Sequence, residues 1–301
     1  MSIVQSTEPA GAARLRGARS LSRRFHYLWY LSRRSPLTLI GVAIIILVLI
    51  LIVFAPWIAP YDPDKISLTA RLRPPSMDHW FGTDEVGRDL FSRVVFGARA
   101  SCGAAFMIVL ISTTIGVVIG CLSGVLGGRF DTGIMRLMDV IMALPALVLS
   151  MALAAALGPS LFNSMLAVAV VRIPAYVRLA RGQTLSLREQ VFVKASRSYG
   201  ASPLYILRWH ILPNAMPPII VQATLDLGGV VLIAAALSFI GLGAQPPTAE
   251  WGAMVSSGRS FMLDQWWYAT FPGLAILITA MGCHLVGDGI RDMLDPRLRG
   301  R

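Results

Sequence analysis

Six long apolar runs divide this chain, and they limit its architecture more than any other feature. They fall at about residues 37–58, 101–126, 134–157, 165–179, 212–242 and 270–286. A helix needs roughly 20 mainly apolar residues to cross a bilayer. In a chain that is 55% apolar and 14% charged, with a mean hydropathy of +0.65, such runs read as membrane spans. The predicted architecture is therefore an all-α integral membrane protein with six transmembrane helices and both termini cytoplasmic. Its expected segments are a basic N-terminal stretch (1–36), a first span (37–58), an outer loop with an amphipathic helix (59–100), a five-helix core (101–290) and a tail (291–301). The core carries a polar inner loop at 187–213.

Charge placement fixes the expected orientation. Nineteen of the 27 basic residues lie on the side of the termini, seven lie on the other, and Arg172 sits inside a span. Cytoplasmic loops carry the excess of Lys and Arg, so the termini and the 187–213 loop belong inside. The net charge of +11 is thus a matter of topology, and no nucleic-acid partner is expected. The first run is longer than the 7–15 residue core of a signal peptide and lacks a small-residue cleavage site, so it is expected to be retained.

Several chemistries are excluded by their missing motifs. The only lysines, Lys65 and Lys194, follow Asp64 and Val193, outside any GxxxxGK[ST] phosphate cradle. No HExxH or other nucleophile–base pair marks an intramembrane enzyme. Cys102, Cys121 and Cys283 sit in or beside spans without CxxC spacing and read as packing residues. His26, His79, His210 and His284 lack ligand spacing, so neither a metal nor a cofactor is expected. An ion-coupled carrier acting alone would show internal repeats and more buried acids than Asp226.

Within the spans, Gly116, Gly120 and Gly124 form a ridge of small residues on which another helix can pack. Pro145 is expected to kink the third span. Trp266, Trp267 and Tyr268 fit an interface belt. Arg172 and Asp226 are the two ionisable side chains well inside spans, at comparable depth. A charge there costs at least about 2.5–3.5 kcal/mol, so the two are expected to pair across or line a pathway, or else to form a structural ion pair between helices.

The polar stretch Val193–Pro213 reads as two short helices meeting at a corner. Gly200 suits a left-handed C-terminal cap, Ser202 an N-cap and Pro203 a first helical position. The plainer reading is an interfacial loop that contains Gly and Pro by chance. Its spacing, however, resembles the coupling loop of bacterial ABC importer permeases: Glu-Ala-Ala, three residues, Gly, nine residues, Ile, one residue, Leu-Pro. Here the positions hold Lys194, Ala195, Ser196, Gly200, His210, Leu212 and Pro213, with Ala201, Ser202 and Pro203 completing the corner. Lys194, Ser196 and His210 depart from the pattern, and no role that needs a carboxylate passes to Lys194.

Residues 79–93 (HWFGTDEVGRDLFSR) closely resemble the GTDxxGRDxxSR signature of permeases for dipeptides, oligopeptides and nickel, read here as a structural, gate-side element. Gly287–Arg297 matches another pattern typical of the same permeases. On LTARLRPPS, LAAALGPSLF and VRIPAYVRLARGQ, the chain looks most like the branch serving D-alanyl-D-alanine-type dipeptides. The resemblance implies a type I importer permease in the bacterial inner membrane. It also implies a second homologous permease, two ATP-binding subunits that hold the ATP and an extracytoplasmic substrate-binding protein. Other dipeptides, oligopeptides, glutathione and nickel chelates stay open as cargo.

Overall fold

The computed structural model describes residues 36–294, and the regular structure among them is helical. The elements are α1 (Pro36–Ile58), α2 (Leu90–Leu126), α3 (Gly128–Met142), α4 (Ala146–Leu157), α5 (Leu161–Arg188), α6 (Val191–Ser198), α7 (Pro203–Ile206), α8 (Leu212–Phe239), α9 (Trp251–Gly258) and α10 (Trp267–Leu294). A π turn at Leu207–Ile211 joins α7 to α8. Five helical stretches are long and apolar enough to cross a membrane, and there are six if α3 and α4, bent by 91°, are counted as one broken span. Residues 1–35 and 295–301, which hold most of the expected basic stretch and tail, lie outside the described residues.

The second and third spans differ from their expected limits for identifiable reasons. The expected amphipathic helix and second span are one 37-residue helix, α2, because nothing between Leu90 and Leu126 breaks the ladder. Asp89 starts it by accepting the Ser92 N–H at 2.8 Å, a cap worth about 1 kcal/mol. After α2, Gly127 and Gly128 turn the chain with φ of 65° and 58°, and α3 begins at once, six residues before the expected start of the third span at residue 134. Pro145 ends α3's ladder altogether, so the third span is two helices at a near right angle.

The bundle is built on close helix contacts at small residues. A Cβ on Gly116 or Gly120 would overlap Tyr176 or Val177 of α5, and one on Gly124 would overlap Thr184, so the expected ridge packs on α5. Gly120→Leu should therefore lower stability by at least the roughly 1–3 kcal/mol of an overpacked core. Gly103→Leu is the control, since its Cβ meets nothing within 4 Å. Thermal unfolding of the purified protein in detergent, followed by size-exclusion chromatography, compares them.

The first helix, α1, is held to α10 by Gly41 against Leu285 and Gly289 against Thr38. Pro56 lacks the N–H that would bond to the Ile52 carbonyl, and Arg99 of α2 supplies the donor from outside. Its Nε reaches Ile52 O at 2.6 Å and its Nη2 reaches Val53 O at 3.2 Å.

At the end of the bundle away from α6, residues 79–93 are almost fully used by internal contacts. Thr83 Oγ1 accepts the Arg73 N–H and donates to Ala70 O. Asp84 accepts from the N–H groups of Val86 and Arg88 and from Arg88 Nε at 2.6 Å. Gly87, at φ 80°, sits where a Cβ would overlap Ser67 O. Arg93 donates to Pro63 O at 2.9 Å and Pro247 O at 3.2 Å, tying two loops to α2. The signature folds a loop.

The second loop, between α8 and α10, is also internal. Buried Glu250 accepts from Gly252 N, Ala253 N and Ser101 Oγ, and Trp251 Nε1 donates to Val94 O at 2.8 Å. The expectation of an interface belt at residues 266–268 needs correction. Trp267 and Tyr268 are buried with Leu90, Val94, Ala98 and Trp251, and only Trp266 is exposed. Their place at the first turn of α10, facing α2 and α9, draws them inward.

Candidate functional site

The polar stretch forms a helical elbow. In α6, Tyr199 N bonds to Ala195 O, Gly200 N to Arg197 O and Ala201 N to Ser196 O, so the chain leaves the helix through Gly200 at φ 82°. Ser202 Oγ accepts the Tyr205 N–H at 3.3 Å, with Pro203 at the first helical position. The second arm continues without interruption into α8, so Leu212 and Pro213 are helical and the expected loop is a helical hairpin. Val193, Ile206 and Ile211 form its small core, backed by Val125, Leu187, Ala201 and Leu207.

The three departures from the family pattern all find intrachain partners. Ser196 Oγ and His210 Nε2 lie 3.1 Å apart and join the two arms of the elbow. The imidazole sits between the rings of Phe192 and Tyr205, with centroids 6.2 and 5.8 Å away. Lys194 Nζ lies 3.1 Å from Glu189 Oε2 across the start of α6. The hydrogen bond from Lys194 holds the Glu189 carboxyl below the usual carboxylate range. That contribution is present above the ordinary carboxylate pKa and is lost as pH falls through the lowered one. It is small, because both groups face water.

The elbow also exposes apolar side chains that periodicity did not single out. Tyr199 is 93% exposed, Leu204 70% and Trp209 59%, among Lys194, Arg197 and Arg208. Arg208 lies over the Trp209 ring at 5.5 Å. Exposed apolar side chains rimmed by charge are the chemistry of surfaces at which proteins dock. In the sequence, the only signal was their density between spans.

The second candidate lies within the bundle. Arg172 of α5 and Asp226 of α8 pair at 2.5 Å, with side chains 25% and 10% exposed. Tyr176 O–H donates to Asp226 Oδ2 at 3.1 Å. Gly229 leaves room for the Arg172 guanidinium, and Gly228 for His284 of α10. Arg172 Nε is buried without a partner among the described residues. Two further pairs, Asp131–Arg181 at 2.6 Å and Asp139–Arg178, hold α3 along the elbow half of α5. Among the described residues, no group of three or more His, Cys, Asp or Glu side chains is arranged to hold a metal. The cysteines there are free thiols.

Residues 116–300 match the binding-protein-dependent transport system inner membrane component family, and residues 24–75 match the N-terminal transmembrane domain of oligopeptide transport permease C. The chain belongs to this permease family. It is a multi-pass protein of the bacterial inner membrane. Among this permease's relatives, the probable D,D-dipeptide transport system permease DdpC of Escherichia coli is 60% identical over 91% of this chain and 92% of its own length. The di/tripeptide permease DppC of Pseudomonas aeruginosa is 45% identical over 86% of this chain and 88% of its own. The glutathione permease GsiD of E. coli is 44% identical over 92% and 91%. An inward-facing structure of the MetNI methionine ABC transporter shares the fold, at a TM-score of 0.58 and 18% identity, covering 68% of this permease and 98% of that chain.

Proposed function

We infer that this permease is one of two homologous membrane subunits of an ATP-driven importer of D,D-dipeptides of the D-alanyl-D-alanine type. The observation that carries the cargo assignment is the 60% identity to a probable D,D-dipeptide permease, against 44–45% for the di/tripeptide and glutathione relatives. In this reading the elbow and both termini are cytoplasmic, as the distribution of basic residues favours. Two ATP-binding subunits, which hold the ATP, dock at the elbow, and an extracytoplasmic protein delivers the dipeptide to the opposite face.

Three elements of the chain support this mechanism. Exposed Tyr199, Leu204 and Trp209 give an ATPase apolar surface to grip, while Lys194, Arg197 and Arg208 give it charge to steer by. The Ser196–His210 contact binds the two arms, so a push on α6 reaches α8. Arg172 and Asp226 offer one charge of each sign to a zwitterion, and Arg172, the more open of the two, meets the carboxylate end.

Purification of the tagged chain from its host in mild detergent tests the assembly. A second permease and two ATPase chains should come with it, and D-alanyl-D-alanine with its binding protein should stimulate ATP hydrolysis above L-alanyl-L-alanine or glutathione. A chain that purifies alone and transports in liposomes without ATP refutes the reading. Trp209→Ala should lower ATPase retention by about tenfold or more, as loss of an aromatic anchor does, while membrane insertion is unchanged.

A further inference from the structure

We propose that the break between α3 and α4, residues 142–148, lines the water-filled substrate path at the level of the Arg172–Asp226 pair. The inference rests on the permease reading and adds a site to it.

The break is an unprotected piece of backbone. Pro145 has no N–H to continue the ladder of α3, and α4 begins with no capping side chain. The first N–H groups of a helix have no intrahelical acceptor, so those of Ala146, Leu147 and Val148 need partners from elsewhere. This chain does not cover them: Met142 through Val148 are all exposed.

Three measures put the break near the middle of the membrane. The 12 residues of α4 span about 18 Å, little more than half of a hydrocarbon core of about 30 Å. Asn163 Nδ2 donates to Leu157 O and Gly158 O, closing a tight antiparallel hairpin of α4 and α5 centred near Ser160. Counting equal distances from that corner sets Pro145 opposite Ala175. Arg172 itself lies about 16 Å along α5 from Leu161, again close to mid-membrane.

Non-helical backbone is not tolerated against lipid at that depth; it must be buried in protein or line an aqueous cavity. The chain's own helices leave residues 142–148 open, and a mid-membrane ion pair at the same level, one of whose nitrogens lacks a partner, already marks a polar layer. An aqueous wall satisfies both the free N–H groups and the ion pair. The chemistry that such a wall recognises is a small polar solute whose peptide groups exchange hydrogen bonds with exposed backbone, flanked by Leu144, Leu147 and Val148.

Thiol accessibility in the assembled transporter tests this. Cys102, Cys121 and Cys283 are replaced by Ala, and single cysteines are placed at Ala143, Leu144, Ala146, Leu147 and Val148, with Ile46→Cys on α1 as the lipid-facing control. Complexes with the second permease and ATPases are reconstituted in liposomes and exposed to an anionic, membrane-impermeant methanethiosulfonate. At least two of the five positions should react about tenfold faster than Ile46→Cys, because the reactive thiolate forms where water reaches it. Their rates should also change when nucleotide is trapped. Rates no higher than the control at all five positions, or cross-linking to the second permease with slow labelling, overturn the proposal. Labelling is read whatever the cargo, so failure of D-dipeptide uptake in the Cys-free parent counts against the cargo assignment alone.

Discussion

Asp226→Asn is expected to lower dipeptide uptake by well over tenfold. The substitution leaves Arg172 without its counter-charge in the bundle, and breaking a buried pair from one side costs about 3–5 kcal/mol. Arg172→Gln should cost less protein, since Asp226 keeps the Tyr176 hydroxyl and can take up a proton. The double variant separates support from transport. Membrane levels should recover towards wild type because no unpaired charge remains, while uptake stays low because the path has lost both of its charges. Uptake that recovers with the protein level would make the pair a strut between α5 and α8. Quantitative immunoblotting beside radiolabelled dipeptide uptake measures both.

Gly200→Leu should cut the ATPase stimulation produced by loaded binding protein by about tenfold while the chain still inserts and assembles. Nothing lies within 4 Å of a Cβ at this position, so the demand on Gly200 is conformational. Its φ of 82° costs an ordinary L-residue about 1–2 kcal/mol, which the elbow relieves by opening the angle between its arms. Asn tolerates the left-handed region, so Gly200→Asn should retain most of the stimulation. Equal loss in both variants would point to the surface of the corner and not its backbone. Equal retention would remove Gly200 from the coupling mechanism.

Much of the fold was legible because a bilayer imposes simple rules on sequence. Continuous apolar length located α1 almost to the residue, and the glycines at 116, 120 and 124 announced a helix-packing face, though not that α5 would fill it. The corner at Gly200, Ser202 and Pro203 was legible for the same reason, since left-handed backbone, a capping oxygen and a fixed φ each require a particular residue type. Hydropathy divided the amphipathic start of α2 from its span, because it marks where a chain becomes apolar and not whether the helix runs on across that boundary. It also could not weigh Pro145: a proline shows where a ladder fails, but the 91° that follows depends on α3 lying along the Arg178 and Arg181 side of α5. Trp267 and Tyr268 misled because aromatics suit both a membrane interface and a core, and only the packing of α9 decides. The Ser196–His210 contact joins residues fourteen apart through a fold that neither residue specifies, so each read singly as a departure from pattern.

The continuity of Pro203–Phe239 has a mechanical consequence. Thirty-seven residues of helix make a rod about 55 Å long, well beyond the roughly 30 Å of hydrocarbon it crosses. The rod is not equally stiff along its length. The π turn, where Leu212 N bonds to Leu207 O, and the prolines at 213, 217 and 218 thin the hydrogen-bond ladder within a dozen residues of the elbow. Beyond this compliant collar the ladder runs intact past Asp226. Torque applied at the elbow is therefore spent first as bending close to the elbow itself. What arrives at the ion pair is a tilt of the whole outer section, a motion that a single helix can deliver without unwinding.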